Sequence, residues 1–150
     1  MIDESMEDRG VKGYPMVRVW LIVAPVILVM TIVFCGRVGH AAEINDADAI
    51  KAIMGEASNQ GFEGMTAIGE AIRNRGSLNG VYGLTARHIY KEPSWVWVQA
   101  EKAWKASKTS NLTHGSRHWE NIRAFGTPYW AKGHQPVVTI KDHAFYNDIK

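Results

Sequence analysis

The amino-acid sequence predicts a mainly α domain of the α+β class with one small β element, preceded by a hydrophobic N-terminal segment. Apolar residues recur at helical spacing in three stretches between residues 46 and 108. Beyond residue 110 the chain is rich in Gly and Pro, and Val137-Val138-Thr139-Ile140 is its single credible strand. With 150 residues, 46% of them hydrophobic and 21% charged, the chain suffices for one core but not for two.

Residues 1–18 form a leader. Between Arg18 and Arg37 eighteen residues, 19–36, carry no charge (VWLIVAPVILVMTIVFCG), close to the length of a membrane-crossing helix. Two readings compete: a cleaved signal peptide with Arg18 as its basic flank, or a retained anchor that holds the chain in the membrane. Gly39 and Ala41 supply small residues for a peptidase, and polar EINDAD follows, which favours cleavage. Cys35 follows Phe34 where a lipoprotein signal needs a small residue, so it reads as an ordinary apolar side chain. As the only cysteine it excludes an internal disulfide framework and a Cys-based zinc finger. On either reading residues 43–150 are expected outside the cytoplasm, in periplasm, cell wall or extracellular space.

Asn45, Asp46 and Asp48 provide a cap and an acidic first turn for a helix over Asp46–Ala57. SNQG breaks it. Phe62, Met65, Ile68 and Ile72 mark one face of a second helix, packed on the first as a hairpin and ending near Asn74-Arg75-Gly76. A Gly/Asn-rich loop, Ser77 to Gly83, leads into a short helix from Leu84 that closes at Glu92-Pro93. Good helix formers then predict a third helix from Ser94 to Lys108, with Trp104 in the core.

Seventeen Lys and Arg against fifteen Asp and Glu leave a formal charge of +2, with the cations scattered. That argues against a nucleic-acid binder, which needs clustered cations for phosphates. The mild excess is compatible with an acidic polymer as substrate.

Gly55-Glu56-Ala57, at the end of an apolar helix and just before a loop, is the sharpest chemical feature. A carboxyl emerging among Ile53 and Met54 is poorly solvated, which favours its proton-donating form. The alternative is a solvated helix-end residue. Glu63 reads as a helix-dipole partner, and Glu70, further along the second helix, as part of a solvated face.

The run IMGEASNQGFEGMTAIGEAIRNRG resembles the opening motif of the SleB-like cell wall hydrolases, the family of spore-cortex lytic enzymes and phage-type lysins. The matching residues are Gly55-Glu56-Ala57, Glu63-Gly64, the apolar Met65 to Ile72, and Asn74-Arg75. Later blocks match as well: His118 with Asn121, Pro128-Tyr129-Trp130, and His143-Ala144-Phe145-Tyr146. Arg117 and Trp119 depart from the pattern, standing where many relatives carry a small hydroxyl residue and Phe or Tyr. The resemblance implies a lysozyme-like fold and cleavage of peptidoglycan glycan strands between N-acetylmuramic acid and N-acetylglucosamine, with Glu56 as catalytic acid/base. It also implies the chemistry of the spore branch, lytic transglycosylation through one carboxyl; a two-carboxylate glycosidase needs a second acid about 5–9 Å away. No second acid declares itself in the sequence, and Glu63, Glu120 and Asp142 stay open for that role. No cofactor is implied.

Six tryptophans are many for this length, and Trp95, Trp97, Trp104, Trp119 and Trp130 lie beyond residue 90. Trp119, Tyr129 and Trp130 are the expected sugar-stacking residues, with core packing as the alternative. His118 and Asn121 are expected on N-acetyl or hydroxyl groups, while His143 reads as structural. Two other functions compete. One is a zinc-dependent peptidoglycan amidase or endopeptidase, with His114 and His118 at i, i+4 and a third ligand among His88, His134 and His143. The other is a non-catalytic peptidoglycan-binding module, which has no need of a semi-buried acid.

Overall fold

A computed structural model describes residues 43–147 and 149; the leader and the hydrophobic segment lie outside the described residues. The elements are α1 (Asp46–Ala57), α2 (Gly61–Arg75), α3 (Ser94–Ala106), β1 (His118–Asn121), α4 (Ile122–Phe125), β2 (Val138–Ile140) and β3 (His143–Tyr146). Turns of 3-10 helix lie at Tyr82–Thr85, Arg87–Lys91 and Tyr129–Ala131. This is an α+β domain, as the sequence predicts. Among the described residues no helix is long and apolar enough to cross a membrane.

Asn45 caps α1, its side-chain oxygen accepting the Ala47 and Asp48 N–H groups at 2.9 and 3.2 Å; these donors have no partner within the helix. The helix buries Ala49, Ala52, Ile53, Met54 and Ala57. α2 ends at Gly76, whose φ of 71° is left-handed and whose N–H reaches the Ile72 and Arg73 carbonyls, a conformation glycine takes without steric cost. From Gly64 to Ile72 every residue of α2 is buried, so α2 is the central helix of the domain.

α3 closes the helical core with Val96, Ala100, Ala103 and Trp104. The Arg73 guanidinium lies 3.3 Å from the centre of the Trp104 ring and donates to Ser107 Oγ and the Trp104 carbonyl. The Trp104 indole donates to Asp46 at 2.6 Å. Trp104 is 2% exposed, the core position expected of it. A desolvated cation over an indole is worth about 2 kcal/mol, so this stack ties α1, α2 and α3 together beyond apolar burial.

The expected single strand at 137–140 is instead one edge of a three-stranded antiparallel sheet in the order β1-β3-β2. Trp119 pairs with Phe145, Glu120 with Ala144, and Val138 with Phe145. The central strand β3 is buried at all four positions and β1 is half-buried at all four, so neither shows the apolar/polar alternation that betrays a strand. The short helix expected from Leu84 is two 3-10 turns, separated where Ala86 turns extended at φ −66°, ψ 124°.

Two anchors join the helices to the sheet. The Gln60 amide donates to Asp142 Oδ2 at 2.9 Å and accepts the Asp142 N–H at 3.1 Å, clasping the β2–β3 turn. Glu70, read from the sequence as solvated, is 3% exposed. Its carboxylate accepts from Ser110 Oγ, Leu112 N–H, Thr113 N–H and Thr113 Oγ1 at 2.6–3.0 Å. Asn74 adds bonds to Thr113 Oγ1 and the Ser116 carbonyl. The segment leading into β1 is therefore held by α2.

Candidate active site

Glu56 leaves the last turn of α1 half-buried, and both its oxygens accept N–H groups. Gly83 N–H donates to Oε1 at 2.6 Å; the Trp119 indole reaches Oε2 at 3.3 Å. The first contact explains Gly55. A Cβ there would strike the Gly83 backbone, and a Cβ on Gly83 would strike the Ala52 carbonyl, Glu56 Cγ at 2.7 Å and Glu56 N at 2.8 Å. Only two facing glycines let the 82–85 turn approach α1 closely enough for its N–H to meet the carboxyl.

Two hollows meet at Glu56. The first is lined by Arg75, Tyr82, His118, Trp119 and Trp130, the second by Ser58, His88, Glu92, Asn121 and His143, among others. Glu56 and Glu120 line both. In the first hollow Arg75 sits 5.9 Å over the Trp119 ring. Trp130 stands edge-on to Tyr146 at 5.4 Å, with His118 at 6.1 Å. Flat indole surface beside hydrogen-bonding groups suits a pyranose ring, which offers C–H bonds on its face and hydroxyls on its rim.

Burial, and then the positive charges of Arg75 and Arg117, hold the His118 imidazole below its usual range. It is neutral at pH 7 and offers one donor and one acceptor. Burial pushes Glu120 up; its bond from the Asn121 N–H at 3.0 Å opposes this, the charge of Glu56 adds to it, and the net is upward. His143 is 1% exposed, and burial lowers its basicity. Its Nδ1 has no hydrogen-bond partner among the described residues.

Of the residues singled out in the sequence, Glu56, His118, Trp119 and Trp130 converge on the first hollow, and Asn121 lies on the second. The Asn121 side-chain oxygen caps α4 through the Ala124 N–H. Tyr129 lines neither hollow and is 83% exposed. The 3-10 turn that buries Ala131 leaves Tyr129 facing outward while Trp130 lines the first hollow. Gly83 and Tyr82 escaped sequence reasoning as site residues, because a glycine in a Gly/Asn-rich loop gives no sign of which carboxyl it will meet, and Arg75 stands out in the sequence only as half of the Asn74-Arg75 motif, with no role at the site. His114 is exposed at a left-handed φ of 50°, outside any helix. Among the described residues no group of three His, Cys, Asp or Glu is arranged to hold a metal ion.

No family model, curated protein or solved structure matches this chain.

Proposed function

We propose that this protein cleaves peptidoglycan glycan strands between N-acetylmuramic acid and N-acetylglucosamine, as an exported or membrane-anchored domain of lysozyme-like fold. One observation carries the reading: a half-buried Glu56 at the junction of two hollows, anchored by Gly83 and Trp119, with Trp130 and His118 beside it. A strand lying through both hollows presents one glycosidic oxygen to that carboxyl.

Glu56 donates its proton to this oxygen as the bond from the muramic C1 breaks. The carboxylate left behind accepts the proton of the muramic C6 hydroxyl as that oxygen bonds to C1, closing a 1,6-anhydro ring and restoring the acid. One carboxyl serves both steps. Trp119 and Trp130 supply stacking surface, and neutral His118 reads hydroxyl or N-acetyl groups.

Mass spectrometry of fragments released from purified peptidoglycan by the full chain, with Glu56→Gln in parallel, tests the reading. Anhydro-muramyl ends absent from the variant are expected. Reducing ends would keep glycan cleavage and replace the C6 hydroxyl by water. Free stem peptides would make the protein an amidase or endopeptidase, and no product from the folded chain would overturn the reading in favour of a binding module.

A further inference from the structure

Arg75, in the last turn of α2, is the only Lys or Arg among the described residues that line either hollow. It is half-buried. Its guanidinium stands 5.9 Å over the Trp119 ring, and its Nη2 lies 3.3 Å from where a Cβ on Gly80 would sit, at a backbone φ of 72° that favours glycine. The indole and the Gly80 turn hold the head group at the hollow. Among the described residues the arginines whose side chains hydrogen-bond are Arg73 and Arg123, and no ion pair includes Arg75. Five N–H donors and a full positive charge thus stand in the wall of the hollow without a described protein acceptor. We propose that Arg75 binds a carboxylate on the C3 substituent of a muramic residue, either the lactyl carboxylate of a strand stripped of stem peptides or an acidic group of the stem peptide itself. The proposal rests on the reading of glycan strands as the substrate.

The other charges of the hollow favour such a residue. Glu56 and Glu120 line it as well, and an anionic strand approaching two carboxyl groups is repelled unless a cation faces it. His118 does not supply that cation, because burial, and then the charges of Arg75 and Arg117, keep its imidazole neutral near pH 7. Arg117 is exposed and lines neither hollow. A guanidinium presents its N–H groups as a planar fork that matches the two oxygens of a carboxylate, a fit that an ammonium lacks. The reach also agrees with the sugar. Trp119 carries Arg75 over its ring and donates its N–H to Glu56 at 3.3 Å, so one indole spans from the guanidinium to the acid. The muramic residue whose C1 reacts at Glu56 has its C3 substituent within range of Arg75.

Calorimetry of soluble glycan strands with the full chain, carrying Glu56→Gln so that nothing is cut, tests the assignment. The probes are strands stripped of stem peptides by an amidase, the same strands with every lactyl carboxylate capped as its methylamide, and strands with peptides intact. One or both uncapped probes should bind about tenfold to a hundredfold tighter than the capped one, the worth of a hydrogen bond to a charged group. Tight binding of stripped strands identifies the lactyl carboxylate; tight binding of peptide-bearing strands alone identifies the stem peptide. Adding Arg75→Gln should abolish the difference and leave affinity for the capped strand unchanged, and Arg75→Lys should keep part of the difference. The comparison of capped with uncapped strands needs no change at Arg75, so it decides the matter even where that variant fails to fold. Capped strands bound as tightly as both others, or Arg75→Gln weakening every probe alike, would overturn the proposal. Carboxylate-dependent binding by a chain that cleaves no glycan would leave the Arg75 site standing and refute the reaction; Glu56-dependent cleavage without that dependence would do the reverse, and a chain that binds no strand would refute both.

Discussion

Two residues in this chain occupy the same tripeptide, Gly-Glu-Ala, and do opposite things. Glu56 opens onto two hollows, whereas Glu70 is sealed among four donors from the segment before β1. Burial alone would push Glu70 up, but the hydrogen bonds outweigh it and hold the carboxyl below its usual value of 4.5. A lowered folded-state value means stability present above the unfolded value and lost as pH falls through the folded one. Glu70→Gln should therefore cost about 1.5–3 kcal/mol at neutral pH. In urea denaturation the gap from the native chain should narrow as the pH falls below about 4. An equal gap at both pH values would show that the carboxylate charge contributes nothing. The sequence pointed to Glu56 because that triplet stands at a helix end before a loop. It misplaced Glu70 because apolar periodicity marks one face of a helix, and α2 is covered on all of them.

At the scale of elements, the decisive packing is α1 against the 82–85 turn. Gly55 and Gly83 face each other with no room for a side chain on either. Gly55→Ala should destabilise the fold by about 1–3 kcal/mol through overpacking. It should also cut the proposed glycan cleavage more than that loss explains, since the turn must retreat and take the Gly83 N–H away from Glu56. Calorimetry beside activity on the still-folded variant separates the two effects, and full activity would show that the Gly83 contact is dispensable. The helices were legible in the sequence because Asn45 caps one, Gly76 stops another, and their apolar residues follow the 3.6-residue period. The sheet was not. His118–Asn121 and His143–Tyr146 are four residues each and lack alternation, and their pairing joins positions that no local window contains. Part of the site shares that fate: Glu56 could be singled out from its own neighbours, but Tyr82 and Gly83 could not, and Arg75 stood out only as half of the Asn74-Arg75 motif.

For the whole molecule, the question is how firmly the sheet is tied to the helices. The Gln60 amide makes two of those ties, both to Asp142. Gln60→Ala should let the β2 and β3 amides exchange with solvent about thirtyfold faster, two ordinary hydrogen bonds being worth about 2 kcal/mol. Amides of α2 should keep their protection. Uniformly faster exchange would mean that helices and sheet open as one unit. The bonds that place Glu56 have a further consequence for the life history of the chain. They join residues 27 and 63 positions apart, and closing such loops costs entropy before any contact repays it. A newly made chain has Glu56 but not its surroundings, so the proposed cleavage requires the finished fold, and recovery of that activity on refolding should be the last signal to return.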